Sequence, residues 1–379
     1  MSNSYFSKEF NMSTFKYKMG NGLCERRPTS RIKVGTVEIG GNSPISIQSM
    51  TNTDTRDVTA TCQQIKSLSD VGCEIVRVAV PDSTAAQCLP EIIKSSPIPV
   101  IADVHFQPEL AHQVLKAGIH CLRINPGTID NRRELAAIAD SAGKKNIPVR
   151  IGINGGSIEK DILEKYGSAT PQALTESALR HCAFFEEHNC PDLKVSLKSS
   201  TASVTIAACR LFAQESSHPL HLGVTEAGTV HSGTVKSAVA LGTLLMEGIG
   251  DTLRVSLSAH PVEEILVAQR ILEACGLREA QPELISCPTC GRTEIDLIPM
   301  VTEVEKELQR LKSRGVTINL KKVAVMGCPV NGPGEAKDAD LGIAGGKNKG
   351  VLFKNGRIVS SYPEEELVPA LIEEIHKYT

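Results

Sequence analysis

The sequence predicts an α/β protein in which a (β/α)8 TIM-like barrel precedes a smaller α+β domain. Three observations carry this reading. Short runs rich in Val and Ile recur at 45–49, 75–80, 100–104, 121–125, 149–153, 194–198, 220–225 and 252–257. Longer helical patterns fill the intervals, at 59–71, 108–116, 132–144, 171–188, 201–215, 232–247 and 262–275. The composition then shifts near residue 280, where Gln281-Pro282-Glu283 reads as a linker. Near-continuous apolar strands separated by helices make a parallel sheet whose outer face is covered. Eight such units suit a closed barrel better than an open doubly wound sheet. Ser96-Pro97-Ile98, Ala117-Gly118-Ile119 and Asn146-Ile147-Pro148 supply helix-to-strand turns.

The elements after the linker are of a different kind. A Cys-x2-Cys pair comes first, then a charged amphipathic helix over 304–314 and a strand over 322–326. Gly-rich turns, a hairpin around Asn355-Gly356 and a terminal helix from Glu364 complete the chain. The expected organisation is therefore a disordered tail over 1–29, a barrel over 30–280 and a second domain over 281–379. The tail is polar and unpatterned through residue 28, with Glu9 and Glu25 its only acids. Arg is absent before Arg26, which argues against a transit peptide, and Met12 and Met19 allow a later start.

Composition narrows the function classes. Net charge is −2, so nothing points to nucleic acid or an anionic membrane. No apolar run approaches the roughly 20 residues a membrane span needs. Aromatic residues make up 3% and Trp is absent, which disfavours stacking platforms for bases and leaves an aliphatic core. The chain has twelve cysteines and no secretory signal, which argues against disulfides; nine of them (24, 62, 73, 88, 121, 182, 190, 209 and 275) mostly fall inside apolar patterns and read as buried free thiols in a reducing, cytoplasmic compartment.

The strand ends carry the chemistry. At or just past successive C-terminal ends stand Asp103 with His105, Arg123 with Asn125, Arg150 with Asn154, Lys198, Glu226, and Arg254 with Ser256; Arg56 lies in the loop after the first strand. In a barrel these positions converge on one mouth. Four arginines and a lysine there would repel one another without an anion. Arg matches phosphate oxygens bidentately, so a multiply charged phosphate compound is implied. The plainer alternative is that each Arg pairs with a local carboxylate. Gly152-Ile153-Asn154-Gly155-Gly156-Ser157 resembles a phosphate loop but fits neither GxGxxG nor a P-loop, and a turn needing positive φ explains it equally well.

Cys287, Cys290 and Cys328 supply three thiolates. Three are one short of a closed structural zinc site, but enough for three irons of a [4Fe–4S] cluster. Zinc and unliganded thiols stay open on the residues alone. A phosphate-binding barrel transferase with a structural zinc domain is accordingly the alternative function.

Cys287-Pro288-Thr289-Cys290 taken with Gly327-Cys328-Pro329-Val330-Asn331-Gly332-Pro333-Gly334-Glu335 resembles the 4-hydroxy-3-methylbut-2-enyl diphosphate synthase family, iron–sulfur enzymes of the methylerythritol phosphate route to isoprenoids. The stretches 47–57, 123–127, 150–157, 221–228 and 254–258 match as well, so the resemblance covers about residues 30 to 379. It is to the two-domain form, without the extra domain that some members insert. The resemblance implies reductive dehydroxylation and ring opening of 2-C-methyl-D-erythritol 2,4-cyclodiphosphate, with two electrons delivered through a [4Fe–4S] cluster. It implies cluster ligation by Cys287, Cys290, Cys328 and Glu335. It also implies diphosphate binding by Arg56, Arg123, Arg150, Asn154, Lys198, Arg254 and Ser256. Glu226 matches a pocket acid that handles protons, and Glu335 is the exchangeable carboxylate ligand. A flavodoxin or ferredoxin electron donor and a homodimer, in which one subunit's cluster domain caps the other's barrel, are implied in the same way.

Overall fold

The computed structural model describes residues 25–105, 107–129, 131–278, 282–328, 336, 338–347 and 349–379. The chain forms two compact units, one ending at Leu277 and one running from Arg278 to Thr379.

The first unit opens with a hairpin, β1 (Ile32–Val34) and β2 (Val37–Ile39), which the sequence reading did not single out. Ile32, Val34 and Ile39 pack on Ile75, Ile101 and Cys121 at the starts of three barrel strands, so the hairpin plugs the barrel floor. Eight parallel strands follow: β3 (Ser46–Met50), β4 (Ile75–Ala79), β5 (Val100–Val104), β6 (Cys121–Ile124), β7 (Val149–Asn154), β8 (Leu193–Lys198), β9 (His221–Leu222) and β10 (Thr252–Leu253). Their order is β8-β7-β6-β5-β4-β3-β10-β9, and a parallel bridge from Val195 to Leu220 closes the ring.

The expected strands at 220–225 and 252–257 are shorter than predicted, ladder pairing ending at Leu222 and Leu253. Just past the end of β9 the chain runs so close to its neighbours that only glycine fits. A Cβ on Gly223 would stand 2.4 Å from Lys198 Nζ and 2.7 Å from the Arg254 carbonyl oxygen.

Nine helices wrap the described barrel: α1 (Val58–Asp70), α2 (Ser83–Ser95), α3 (Pro108–Lys116), α4 (Arg132–Lys144), α5 (Lys160–Tyr166), α6 (Pro171–Glu187), α7 (Ala202–Glu215), α8 (Val230–Met246) and α9 (Pro261–Ala274). Their starts follow capping chemistry. Asp57 accepts from Ala60 N at 2.9 Å and Asp82 from Ala85 N at 2.9 Å, each satisfying an orphan first-turn donor. Both caps stand in βα loops, so the residues that begin these helices also shape the mouth. Aliphatic side chains such as Ile65, Leu89, Val114, Ile138, Leu174 and Ile271 fill the layer between helices and sheet.

Residues 25–29, expected in the tail, are instead tied to the barrel; residues 1–24 of that expectation lie outside the described residues. Arg26 donates to the Ser43 carbonyl at 2.5 Å and pairs with Asp251 at 3.2 Å, while Arg27 donates to the His218 carbonyl at 2.7 Å. Asp251, 2% exposed, also accepts from Thr29 Oγ1 and from Leu220 N, both at 2.9 Å. Asp251→Ala should leave three donors facing an apolar gap and lower barrel stability by about 3 kcal/mol. Urea unfolding followed by circular dichroism measures this, and an unchanged midpoint would show the clamp to be dispensable.

The second unit is a five-stranded mixed sheet of β11 (Glu283–Ser286), β12 (Lys322–Met326), β13 (Leu341–Gly346), β14 (Lys349–Lys354) and β15 (Arg357–Pro363). Helices α10 (Leu297–Ser313) and α11 (Glu364–His376) bury Val304, Leu308, Leu367 and Leu371 against Val323, Val325, Leu341 and Ile343. Three expectations meet the structure here. The strand at 322–326 is β12, the hairpin turn is at Asn355 (φ 46°) and Gly356 (φ 71°), and the terminal helix starts at Glu364. Two are corrected. The amphipathic helix begins earlier, at Leu297, because Pro299 falls in its first turn, where a missing N–H costs nothing. Glu283, expected in the linker, already pairs with Lys322 in β11, whereas Gln281 lies outside the described residues.

Candidate active site

Side chains alternate along a strand, so residues two apart share the barrel interior. On β8 those residues are Lys194, Ser196 and Lys198, and all three are buried. Parallel register then sets a row across four strands: Asp103 on β5 opposite Arg123 on β6, Arg123 opposite Arg150 on β7, and Arg150 opposite Lys194 on β8. Arg77 on β4 joins it, 3.6 Å from the Asp103 carboxylate. One carboxylate therefore faces three guanidinium groups and an ammonium.

The predicted cations divide by what they touch. Arg123 pairs with Asp103 at 2.7 Å and also contacts His105 Nε2. Its guanidinium crosses β7 where Gly152 leaves room, since a Cβ there would stand 3.0 Å from Arg123 Nε. Arg254 is held bidentately by Glu264, with both contacts at 3.1 Å, and Glu264 also accepts from Ser49 at 2.9 Å. Arg56 is exposed and pairs with Asp54 at 2.8 Å and Asp82 at 3.2 Å. These three follow the plainer alternative of a local carboxylate partner.

Among the described residues, Arg150 and Lys198 do not. Arg150 is 2% exposed, and its Nε donates to Ser196 Oγ at 3.2 Å while its Nη1 is buried without a hydrogen-bond partner. Burial, reinforced by Arg77 and Arg123, pushes the Arg150 pKa well down from its ordinary value. Lys198 is pushed well down by burial and by Arg150, Arg77, Arg254 and Arg123. Burial alone would raise the Asp103 carboxyl; Arg77, the His105 hydrogen bond and Arg123 hold it well below the usual carboxylate range instead. Among the described residues, buried positive charge at Arg150 and Lys198 therefore has no carboxylate opposite it, an arrangement that suits an anion.

The remaining predicted residues frame this pocket. Asn154 ends β7, and its Oδ1 accepts from Gly156 N and Ser157 Oγ, both at 3.2 Å. The glycine loop after it forms a short 3-10 turn over Gly155–Ser157, and neither Gly155 nor Gly156 has positive φ, so that explanation of the loop fails. Ser256 is half-buried beyond β10. Glu226 is exposed in the loop after β9 with φ 52°, a left-handed conformation uncommon for a residue with a side chain. Four contributors escaped the sequence reading: Arg77, Lys194, Glu264 and the thioether of Met50, which takes contacts from Arg77 Nη2 at 2.9 Å and Arg254 Nη1 at 3.7 Å. Arg77 and Lys194 were legible only as odd residues inside apolar strands.

In the second unit β11 and β12 run parallel, with Ser286 opposite Val325. Cys287 and Cys328 therefore leave the same end of two neighbouring strands. Gly327 N donates to Cys287 Sγ at 3.2 Å, and Cys328 is buried. Cys290 is exposed in a turn closed by Thr293, whose hydroxyl accepts from Cys290 N at 3.0 Å. The Arg292 backbone N–H holds the Cys290 thiol below its ordinary pKa, favouring the thiolate that binds metal. Among the described residues no three His, Cys, Asp or Glu side chains stand close enough for a single metal ion. A cluster attaches each thiolate to a different iron, so its ligands stand farther apart than those of one ion. Glu335 and the segment 329–334 lie outside the described residues.

The GcpE TIM-barrel domain profile matches residues 29–269, and that of the GcpE protein C-terminal domain matches residues 283–377. The chain belongs to the GcpE family. Among its curated relatives is a Clostridium acetobutylicum protein named 4-hydroxy-3-methylbut-2-en-1-yl diphosphate synthase (flavodoxin), 53% identical over 93% of this chain and 99% of that relative. Proteins of the same name from Ruminiclostridium cellulolyticum (52% identical, 93% of this chain and 98% of the relative) and Geobacter sulfurreducens (53%, 92% and 97%) are similarly related. The GcpE barrel carries the cationic mouth, and the GcpE C-terminal domain carries the three cysteines.

Proposed function

We propose that this chain reductively dehydroxylates and ring-opens 2-C-methyl-D-erythritol 2,4-cyclodiphosphate to 4-hydroxy-3-methylbut-2-enyl diphosphate. The observation that carries the reading is the pair of buried cations, Arg150 and Lys198, that have no carboxylate partner among the described residues of the barrel. Identity above 50% to 4-hydroxy-3-methylbut-2-en-1-yl diphosphate synthases over nearly the whole chain supports it. The transferase alternative falls with the family assignment.

In this reading Arg150, Lys198 and Asn154 bind the diphosphate directly. Arg123 and Arg254, kept rigid by Asp103 and Glu264, present their remaining N–H groups to it. Arg56 swings from its exposed pairs with Asp54 and Asp82, which hold it weakly. Ser256 adds a neutral hydrogen bond at the rim. As the ring opens, one phosphate oxygen gains charge, and the fixed guanidinium groups stabilise that charge without reorganising. Glu226, free to face the mouth from its left-handed turn, exchanges the proton needed by the departing hydroxyl.

Cys287, Cys290 and Cys328 suit a [4Fe–4S] cluster: three thiols at one end of a sheet, one with a backbone N–H on its sulfur and one with a depressed pKa. Glu335 is assigned as the fourth, exchangeable ligand, carboxylate being the harder donor. When bound, the cluster supplies electrons one at a time and a Lewis-acidic iron, which side chains cannot provide. A flavodoxin is the proposed electron donor, as in the names of the relatives. The working form is proposed to be a homodimer in which one subunit's second domain serves the other's barrel; a native mass of two chains checks this.

Oxygen-free protein given reduced flavodoxin and the cyclodiphosphate should release the open-chain allylic diphosphate, seen by phosphorus NMR. Unconverted substrate with a fully loaded cluster would end this reading.

A further inference from the structure

Beneath the mouth the barrel interior is neither apolar nor internally satisfied. Lys194 is 0% exposed, and its Nζ has no hydrogen-bond partner. On other barrel strands, Gln48 Oε1 and Nε2, both His221 ring nitrogens, Ser46 Oγ and Thr252 Oγ1 are likewise buried and unpartnered, and of these groups His221 feels the Lys194 charge. Buried polar groups in folded proteins are nearly always paired, so an unpaired base here calls for an explanation. Lys194 stands opposite Arg150 in the β7–β8 ladder, and Lys198 follows it on the same inward face of β8. The base thus lies beside Arg150 and below Lys198, the two cations that the proposed function assigns to the diphosphate.

We infer that Lys194 takes up a proton when the diphosphate substrate binds, so that the barrel floor acts as a charge reserve for the mouth. The inference rests on the function proposed above. The groups that act on Lys194 are Cys121 on β6, Arg150 on β7 and Arg77 on β4. His221 on β9 and Lys198 on β8 complete the surroundings. Cys121 is a buried thiol pushed up by burial, so it offers no anion at neutral pH. The interior carboxylates Asp103 and Glu264 are engaged by Arg77, Arg123 and Arg254. Among the described residues no carboxylate pairs with Lys194, and burial pulls its pKa down from 10.5 to about 8.

The sign of the effect follows. A depressed lysine pKa means that the free protein leaves Lys194 neutral above about 8. Diphosphate on Arg150 and Lys198 reverses the local potential, raises the Lys194 pKa towards its ordinary value and draws in a proton from solvent before the mouth is filled. By linkage, affinity for the substrate must then fall with rising pH between those two values. Below about 8 Lys194 is already protonated, and its contribution to uptake vanishes.

The test is calorimetric titration of the full-length, cluster-loaded protein with the cyclodiphosphate, without reductant and without oxygen. It is run in two non-phosphate buffers of different ionisation enthalpy, about one pH unit above the Lys194 value. The wild type should show buffer-dependent heat corresponding to net proton uptake, and affinity falling with rising pH. Lys194→Met should lower that uptake by up to about one proton and flatten the pH dependence accordingly, any remainder belonging to Lys198, which burial also pushes down, and its melting temperature should be unchanged or higher. Wild-type binding with buffer-independent heat would overturn the inference while leaving the proposed function intact, and so would uptake undiminished in a folded Lys194→Met. Should that variant not fold, Lys194→Gln and the wild-type measurement still decide. Absence of binding in the wild type would overturn the function itself, and this inference with it.

Discussion

Cys328→Ser is expected to leave the protein without a stable iron–sulfur cluster and without measurable turnover. Cys328 follows β12, a strand paired on both sides, and its side chain is 4% exposed, so the backbone holds it in one place. A serine hydroxyl fits the same space, and the fold should survive. It does not ionise in this range, however, and only the ionised sulfur binds iron. No other cysteine can substitute. The nearest in sequence is Cys290, 38 residues earlier, which is already assigned to the same cluster. Iron and sulfide analysis of oxygen-free preparations, with circular dichroism as the fold check, measures the outcome. Wild-type iron and sulfide in the Ser variant would remove Cys328 from the ligand set.

Arg150→Leu is expected to separate activity from stability. Each charge-assisted hydrogen bond lost to the diphosphate removes roughly 1.5–3 kcal/mol, or one to two orders of magnitude in kcat/KM. The fold should not suffer. In the free protein Arg150 makes one neutral hydrogen bond, to Ser196, and faces Arg77 and Arg123 without a carboxylate of its own. Replacing an uncompensated buried cation by a hydrocarbon of similar reach is neutral or stabilising. A melting temperature at or above the wild-type value together with a collapsed kcat/KM is therefore the expected signature. Unchanged kinetic constants would refute the diphosphate pocket, and a drop in stability would give Arg150 a structural role instead. Arg254→Leu makes the contrast, since it orphans Glu264, a carboxylate 4% exposed, and should destabilise the barrel.

The barrel was legible because its signal is repetitive: apolar strands and helical intervals alternate, and the strand starts at Ile75, Val100, Cys121 and Val149 coincide with those observed. Two kinds of feature were not legible. Elements shaped by tertiary contact leave little local pattern. The floor hairpin at Ile32–Ile39 is too short for periodicity, and the early ends of β9 and β10 reflect crowding between Lys198 and Gly223. Interior polar residues in near-continuous apolar runs are the other kind. Arg77 lies within Ile75–Ala79 and Lys194 within Leu193–Lys198, and only the folded barrel brings Arg77 within 3.6 Å of Asp103 and sets Lys194 opposite Arg150. The candidate site was read more completely than the interior beneath it, because strand ends mark a barrel mouth whatever the side chains do. What strand ends could not reveal was partnership. Arg56, Arg123 and Arg254 each have a carboxylate, whereas among the described residues Arg150 and Lys198 do not, and that difference is what the proposed diphosphate site rests on.

The central proposal is that Cys287, Cys290 and Cys328 would hold a cluster whose fourth, exchangeable ligand is assigned to Glu335, while the buried cations of the barrel would bind the diphosphate. Mössbauer spectroscopy of oxygen-free protein, grown on isotopically enriched iron and measured with and without the cyclodiphosphate, tests it most directly. The account predicts about four irons and four sulfides per chain, with one iron spectrally distinct from the rest and that one alone changed by substrate. Zinc without sulfide, or a set of equivalent irons indifferent to substrate, would contradict it.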